Sequence, residues 1–168
     1  MKFGTVQTKY AAGGILAHSL VCGRDRFRKG KVLDEKDIGQ LIQFGYDEVV
    51  IARLEDNDTE ENLAAAKVAE NIHFLAEPEN FKKSIAFTGR VNIFARTTGI
   101  IVFDQENLIR ANSIDNMITI ATIPNYSQVT KGSIVATIKI ISYGVITSNL
   151  DEIRSNHSIT YNLNCSYD

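Results

Sequence analysis

The sequence predicts an α+β fold with a β majority, arranged as two lobes. Three observations carry that expectation. Apolar, β-branched runs recur at 91–95, 99–103, 117–123 and 134–141, each short and set off by Gly, Pro, Asn or Ser, as strands broken by turns are. Two earlier segments, at 34–45 and 58–72, instead place apolar residues at helical spacing behind acids suited to capping. Between these regions Glu77-Pro78-Glu79-Asn80 breaks both patterns and reads as a linker. The expected organisation is a small strand–helix–strand lobe at 1–77, a mostly antiparallel or barrel-like lobe at 78–148, and a C-terminal segment at 149–168.

Taken in order, the chain opens with a short strand from Phe3. Gly13-Gly14 then leads into a second strand at Ile15, Leu16 and Ala17, with His18 at its end. The stretch 23–31 follows, GRDRFRKGK, with five cations around Phe27 between glycines. Arg offers paired donors to phosphate oxygens, so a phosphate-attracting loop fits. A solvated hairpin that protects a strand edge fits equally well chemically, and is the preferred reading. Asp34 is placed to cap a helix whose first turn carries Glu35 and Asp37, suiting the positive end of the dipole. Ile38, Leu41 and Ile42 form its apolar stripe, and Gly45 supplies the left-handed stop. A strand at 48–54 comes directly after.

The acidic run at 55–61 lacks the central Gly and spaced ligands of a calcium loop. Asp58 and Glu61 instead have capping-box spacing for an Ala-rich helix at 62–72, with Leu63, Ala66, Lys67 and Glu70 along one face. In the second lobe, Thr88-Gly89-Arg90 and Thr98-Gly99 are turns before strands, and Asp104 caps a short helix around 107–111. Residues 124–127 form a loop, and Lys131-Gly132 turns into the long strand 134–141. Beyond it, 149–156 reads as a helix with Leu150 and Ile153 inward, and the tail begins like a further strand.

With 168 residues, 44% hydrophobic and 23% charged, the chain can bury one good core or two small ones. A net charge of −2 gives no reason to expect nucleic acid or an anionic membrane as partner. No apolar run nears the roughly 20 residues that span a bilayer, and the N-terminus lacks a signal-peptide core, so the expectation is cytoplasmic. Cys22 and Cys165 stand far apart and outside any CxxC pair, as reduced thiols do. No bound metal is expected, and no phosphate-loop motif, dinucleotide fingerprint or zinc-protease motif is present.

Three segments, read as they stand, carry a family resemblance: RKGKVLDEKDIGQLIQFGYDEVVIARLEDNDTEENLAAAKVAE, FTGRVNIFARTTGIIVFD and LIRANSIDNMITIATIPNYSQVTKGSIVATIKII. In that order they resemble the N-terminal region of bacterial molybdopterin-binding proteins of molybdenum cofactor biosynthesis, which are similar to molybdopterin molybdenumtransferases and sometimes fused to a cytidylyltransferase. The resemblance implies a β-clip-like arrangement for part of the chain and molybdopterin, a pterin with a dithiolene and a phosphate, as ligand. It also implies a separate catalytic pterin-binding domain with Thr-Gly-Gly-like loops. Here Thr88-Gly89 and Thr98-Gly99 are followed by Arg and Ile, and residues 149–168 lead toward where that domain would begin. The expected role is therefore an accessory module without catalysis of its own.

For an anionic pterin phosphate, cations beside turn donors are the candidates: Arg90, Arg96 and Lys131, with Arg26 and Arg28 (flanked by Arg24 and Lys29) as a second set. The expected partners are a pterin-type small molecule or the catalytic pterin-binding domain. A self-contained enzyme would need a convergent set such as His18, Asp104 or Asp115. A structural or dimerisation module, pairing through exposed strand edges and the long strand 134–141, is the alternative; it would make a homodimer.

Overall fold

The computed structural model describes residues 1–74, 78–156 and 159–164. The chain forms two compact units, Met1–Asp58 and Thr59–Asp168, each with its own hydrophobic cluster. The fold is α+β and β-rich, in several mostly antiparallel sheets. Among the described residues none of these sheets closes, so the second lobe is built of open sheets rather than a barrel. No helix of the described residues is long and apolar enough to cross a membrane.

In the first unit β1 (Lys2–Gln7), β2 (Ile15–Leu16), β3 (Leu20–Cys22) and β4 (Asp25–Phe27) precede α1 (Glu35–Gln43) and β5 (Glu48–Arg53). β5 lies between β1 and β2, antiparallel to both, and β3–β4 is a separate hairpin. Asp34 caps α1 as the sequence expects, in a reciprocal box with Asp37, and Gly45 takes φ 81° just beyond it. The buried face of α1 is Asp37, Ile38 and Leu41, whereas Ile42, expected in the stripe, is 50% exposed. The stripe is rotated toward Asp37 because that carboxylate binds Lys31, at 2.6 and 2.5 Å. Cys22 is buried, and burial with Asp25 nearby pushes its thiol up, away from the reactive range; Cys165 lies outside the described residues.

The second unit takes in β6 (Asp58–Glu60), α2 (Glu61–Glu70), β7 (Ile72–Phe74), β8 (Phe81–Lys83), β9 (Arg90–Ala95), β10 (Gly99–Phe103) and α3 (Gln105–Ile114). It continues through β11 (Ile118–Thr122), β12 (Gln128–Val129), β13 (Ile134–Ile140), β14 (Gly144–Ile146), α4 (Thr147–Asn156) and β15 (Ile159–Asn164). One sheet runs β11-β13-β9-β8; the other runs β12-β10-β15-β7, with β15 parallel to β7. The division thus falls after Asp58 rather than at 77, because α2 packs on β9 and β13 while β7 joins β15. Of the expected linker, Glu77 lies outside the described residues. Pro78–Asn80 is a 3-10 turn, where the Asn80 carbonyl accepts from the Arg96 amide at 2.7 Å. The segment 149–168 likewise contributes α4 and β15 to this unit, with Leu150 and Ile153 buried as expected.

Two local readings change. Asp58 does not cap α2: its carboxylate accepts from the Met1 amine at 2.6 Å and the Glu55 amide at 2.8 Å. Glu60 caps instead, accepting from the amides of Asn62 and Leu63. The buried face of α2 is Ala64, Ala65, Val68 and Ala69, while Leu63 is 54% exposed. Small residues let the helix axis approach the sheet closely, and that proximity outweighs burying one Leu.

The open edge of β11 is closed by a side chain. Asn112 on α3 donates to the Ile120 carbonyl (3.0 Å) and accepts from the Ile120 amide (2.8 Å), imitating a neighbouring strand. Asn125 does the same for Phe103, at 3.1 Å in both directions. Asn112→Ala is expected to cost about 1–3 kcal/mol, since it strips both partners from a residue that is 3% exposed. Urea unfolding checks this, and a change below about 0.5 kcal/mol would count against the strand-mimic role. The strand 134–141, expected as a pairing edge, is interior: β13 lies between β11 and β9. It has no free edge for a second copy.

Candidate functional site

The second unit carries a cleft of about 330 Å³ beside the turn that joins residues 87 and 90. Phe87 and Arg90 exchange backbone hydrogen bonds, 3.0 and 3.1 Å, around Thr88 (φ 47°) and Gly89 (φ 66°). Two positive φ values are what a type I′ hairpin turn needs, and Asn-Gly is the usual solution. A β-branched Thr in the first place is strained, at a cost of about 1–3 kcal/mol. The surrounding structure holds it there. Asn62 accepts from the Gly89 amide (2.9 Å), the Gly89 carbonyl accepts from the Ile140 amide (2.7 Å), and Lys139 Nζ donates to the Thr88 carbonyl.

The β9–β13 register places Lys139 directly opposite Arg90. Opposed residues in an antiparallel pair have Cα atoms about 4.5–5.5 Å apart, and like charges there destabilise the sheet. Among the described residues neither cation forms an ion pair. A Glu61 carboxylate oxygen stands 3.2 Å from where a Cβ on Gly89 would be, and Glu61 has contacts of its own. Ser84 and Asn92 line the floor; Ile85 and Phe87, 92% and 76% exposed, form an apolar wall. The cleft thus brings together two cations, polar side chains and an aromatic ring.

Of the residues singled out in the sequence, only Arg90 falls here. Arg96 and Lys131 are exposed at the opposite end of β9–β13, where the Gly132 amide donates to the Ala95 carbonyl. Six strand residues separate the two ends by about 17 Å. Arg26 and Arg28 are exposed on and just after β4 in the first unit, with Arg24 in the hairpin turn. The fifth cation of that stretch, Lys31, is bound inward to Asp37. His18 is exposed in the first unit. Asp104 caps α3 through Asn107, and Asp115 accepts from the Met117 amide and Asn149, so the two stand at opposite ends of a helix about 15 Å long. They do not converge on a reacting centre.

A family model described as a domain of unknown function (DUF8806) matches residues 5–53. The match lies wholly within the first unit. No curated protein matches the chain.

Lys139, Asn92, Ser84 and Phe87 were not singled out in the sequence. The one available signal was Lys139 itself, a lone cation between Ile138 and Ile140 in an otherwise uncharged strand. The first unit has a larger hollow of about 770 Å³, but there Lys9 is outnumbered by Asp47 and Glu48 among the lining residues, and the Thr8 hydroxyl is bonded to the Tyr46 carbonyl. With more carboxylates than cations, its lining does not suit an anion.

Proposed function

We propose that this chain is an accessory, ligand-binding module for molybdopterin in molybdenum cofactor biosynthesis, acting beside a separate catalytic pterin-binding domain. The ordered resemblance of three segments motivates the pathway. The observation that carries the ligand reading is the unneutralised Arg90–Lys139 pair beside Phe87. The pair suits the phosphate of a pterin, and the ring of Phe87 suits its flat body.

Anaerobic calorimetry with molybdopterin tests this. Micromolar binding is expected, weakened about tenfold or more by Arg90→Ala and retained by Lys131→Ala, which sits at the other end of the sheet. No heat of binding with wild-type protein would overturn the proposal.

A docking role is the second reading, favoured by the exposure of Ile85 and Phe87. In that case Phe87→Ala abolishes co-elution with the catalytic domain, while small-ligand binding is absent.

A further inference from the structure

We infer that Arg90, Lys139 and Asn92 form a seat for a single phosphoryl group, with Phe87 and Ile85 covering the flat organic part attached to it. This deepens the cleft assignment on which the proposed function rests, but it requires a phosphate ester rather than a pterin.

The argument begins with the sheet face. Along β9 the buried residues are Val91, Ile93 and Ala95, so Arg90 and Asn92 share the outer side. Along β13, Ile138 and Ile140 are buried and Thr137 and Lys139 share the same outer side, opposite Asn92 and Arg90. The four strands of this sheet, FKK, RVNIFA, ITIAT and IVATIKI, contain no Asp or Glu. Among the described residues, no side chain of these four strands neutralises the two cations.

The donors that remain point to an anion. Asn92 Oδ1 accepts from the Thr137 hydroxyl at 2.9 Å, which leaves its amide nitrogen to donate into the cleft. Lys139 spends one of three donors on the Thr88 carbonyl and keeps two. Arg90 has the whole fork of its guanidinium available for paired bonds.

Charge decides between anions. A carboxylate would leave one of two adjacent cations unmatched. A phosphate monoester carries about −1.5 to −2 at neutral pH and presents three acceptor oxygens, matching both cations and the amide. The strained turn fits this reading: Thr88 holds a costly backbone conformation, and its carbonyl fixes the Lys139 ammonium at the mouth of the seat.

The test is NMR titration of ¹⁵N-labelled full-length chain at low ionic strength, with inorganic phosphate, phenyl phosphate and benzoate as probes. Phenyl phosphate is expected to bind about tenfold or more tighter than either of the others, with shifts at residues 87–92 and 139 and at the Arg90 Nε. Arg90→Gln and Lys139→Gln should each weaken it about tenfold or more. Lys139→Arg, which keeps both the charge and a donor for Thr88, should retain it and serves if Lys139→Gln loses its dispersed spectrum. Benzoate binding as tightly as phenyl phosphate would overturn the inference. So would shifts that follow residues 24–29 and vanish in Arg26→Gln/Arg28→Gln instead. Phenyl phosphate binding without molybdopterin binding would sustain the phosphoryl seat and remove the pterin. Molybdopterin binding indifferent to Arg90→Gln and Lys139→Gln would do the reverse.

Discussion

Gly89→Ala should destabilise the second unit by about 2–5 kcal/mol, a large effect for one methyl group. Two costs combine. Gly89 sits at φ 66°, where a Cβ meets its own backbone at about 1–2 kcal/mol. That Cβ would also stand 2.9 Å from the Ile140 carbonyl oxygen and 3.3 Å from Ile140 Cβ. These belong to the middle of a sheet and cannot swing aside, so about 1–3 kcal/mol of overpacking is added. The turn cannot relieve the strain by opening, since the Gly89 amide and carbonyl are both bonded.

Urea midpoints read the loss, and the phenyl phosphate affinity should fall with it because the turn holds Lys139. Thr88→Asn is the matching control. Asn tolerates the left-handed region, so this change should stabilise by about 0.5–1 kcal/mol. If Gly89→Ala unfolds within about 0.5 kcal/mol of the parent, the turn is not held as described.

The fold was legible where neighbours in sequence decide the structure. Asp34 and Gly45 bound α1 correctly because capping and left-handed stops act over three or four residues. Asp104 capping α3 is the same kind of event. The readings that changed depend on distant partners. The spacing of Asp58 predicts a cap, yet it meets the Met1 amine, and Glu60 takes over the helix. Apolarity places Leu63 on the inner face, yet the packed face is that of Ala64, Ala65, Val68 and Ala69.

The cleft fails to show for the same reason. Arg90 announces itself after Thr-Gly, but the residue that gives it meaning lies 49 positions later and is brought opposite by register alone. A residue's cross-strand partner is a property of the pairing, and a one-residue slip would have buried Lys139.

Asp37 illustrates how much of a basic stretch can belong to the fold. Its side chain, in a residue only 5% exposed, accepts from Lys31 Nζ twice and from the Asp34 amide at 3.0 Å, while its own amide donates to Asp34. Removing it in Asp37→Ala forfeits a capping box worth about 1 kcal/mol. A charged hydrogen bond worth about 1.5–3 kcal/mol is lost as well. Lys31 is 37% exposed and regains water, so the sum is discounted to about 2–3 kcal/mol.

The effect carries a pH signature. Burial alone would raise this carboxyl, but the Lys31 and Asp34 hydrogen bonds and the charge of Lys31 overcome it and hold the group below its ordinary value. A carboxyl lowered on folding contributes fully above its unfolded value of about 3.9, and that contribution disappears as pH falls through the folded one. The stability gap between the parent chain and Asp37→Asn should therefore be widest near pH 7 and shrink steadily from about pH 5 to about pH 2. Hydrogen exchange of the α1 amides follows it within the first unit. A gap that stays constant down to pH 2 would mean that packing, and not the charge shared with Lys31, ties α1 to the strand edge beneath it.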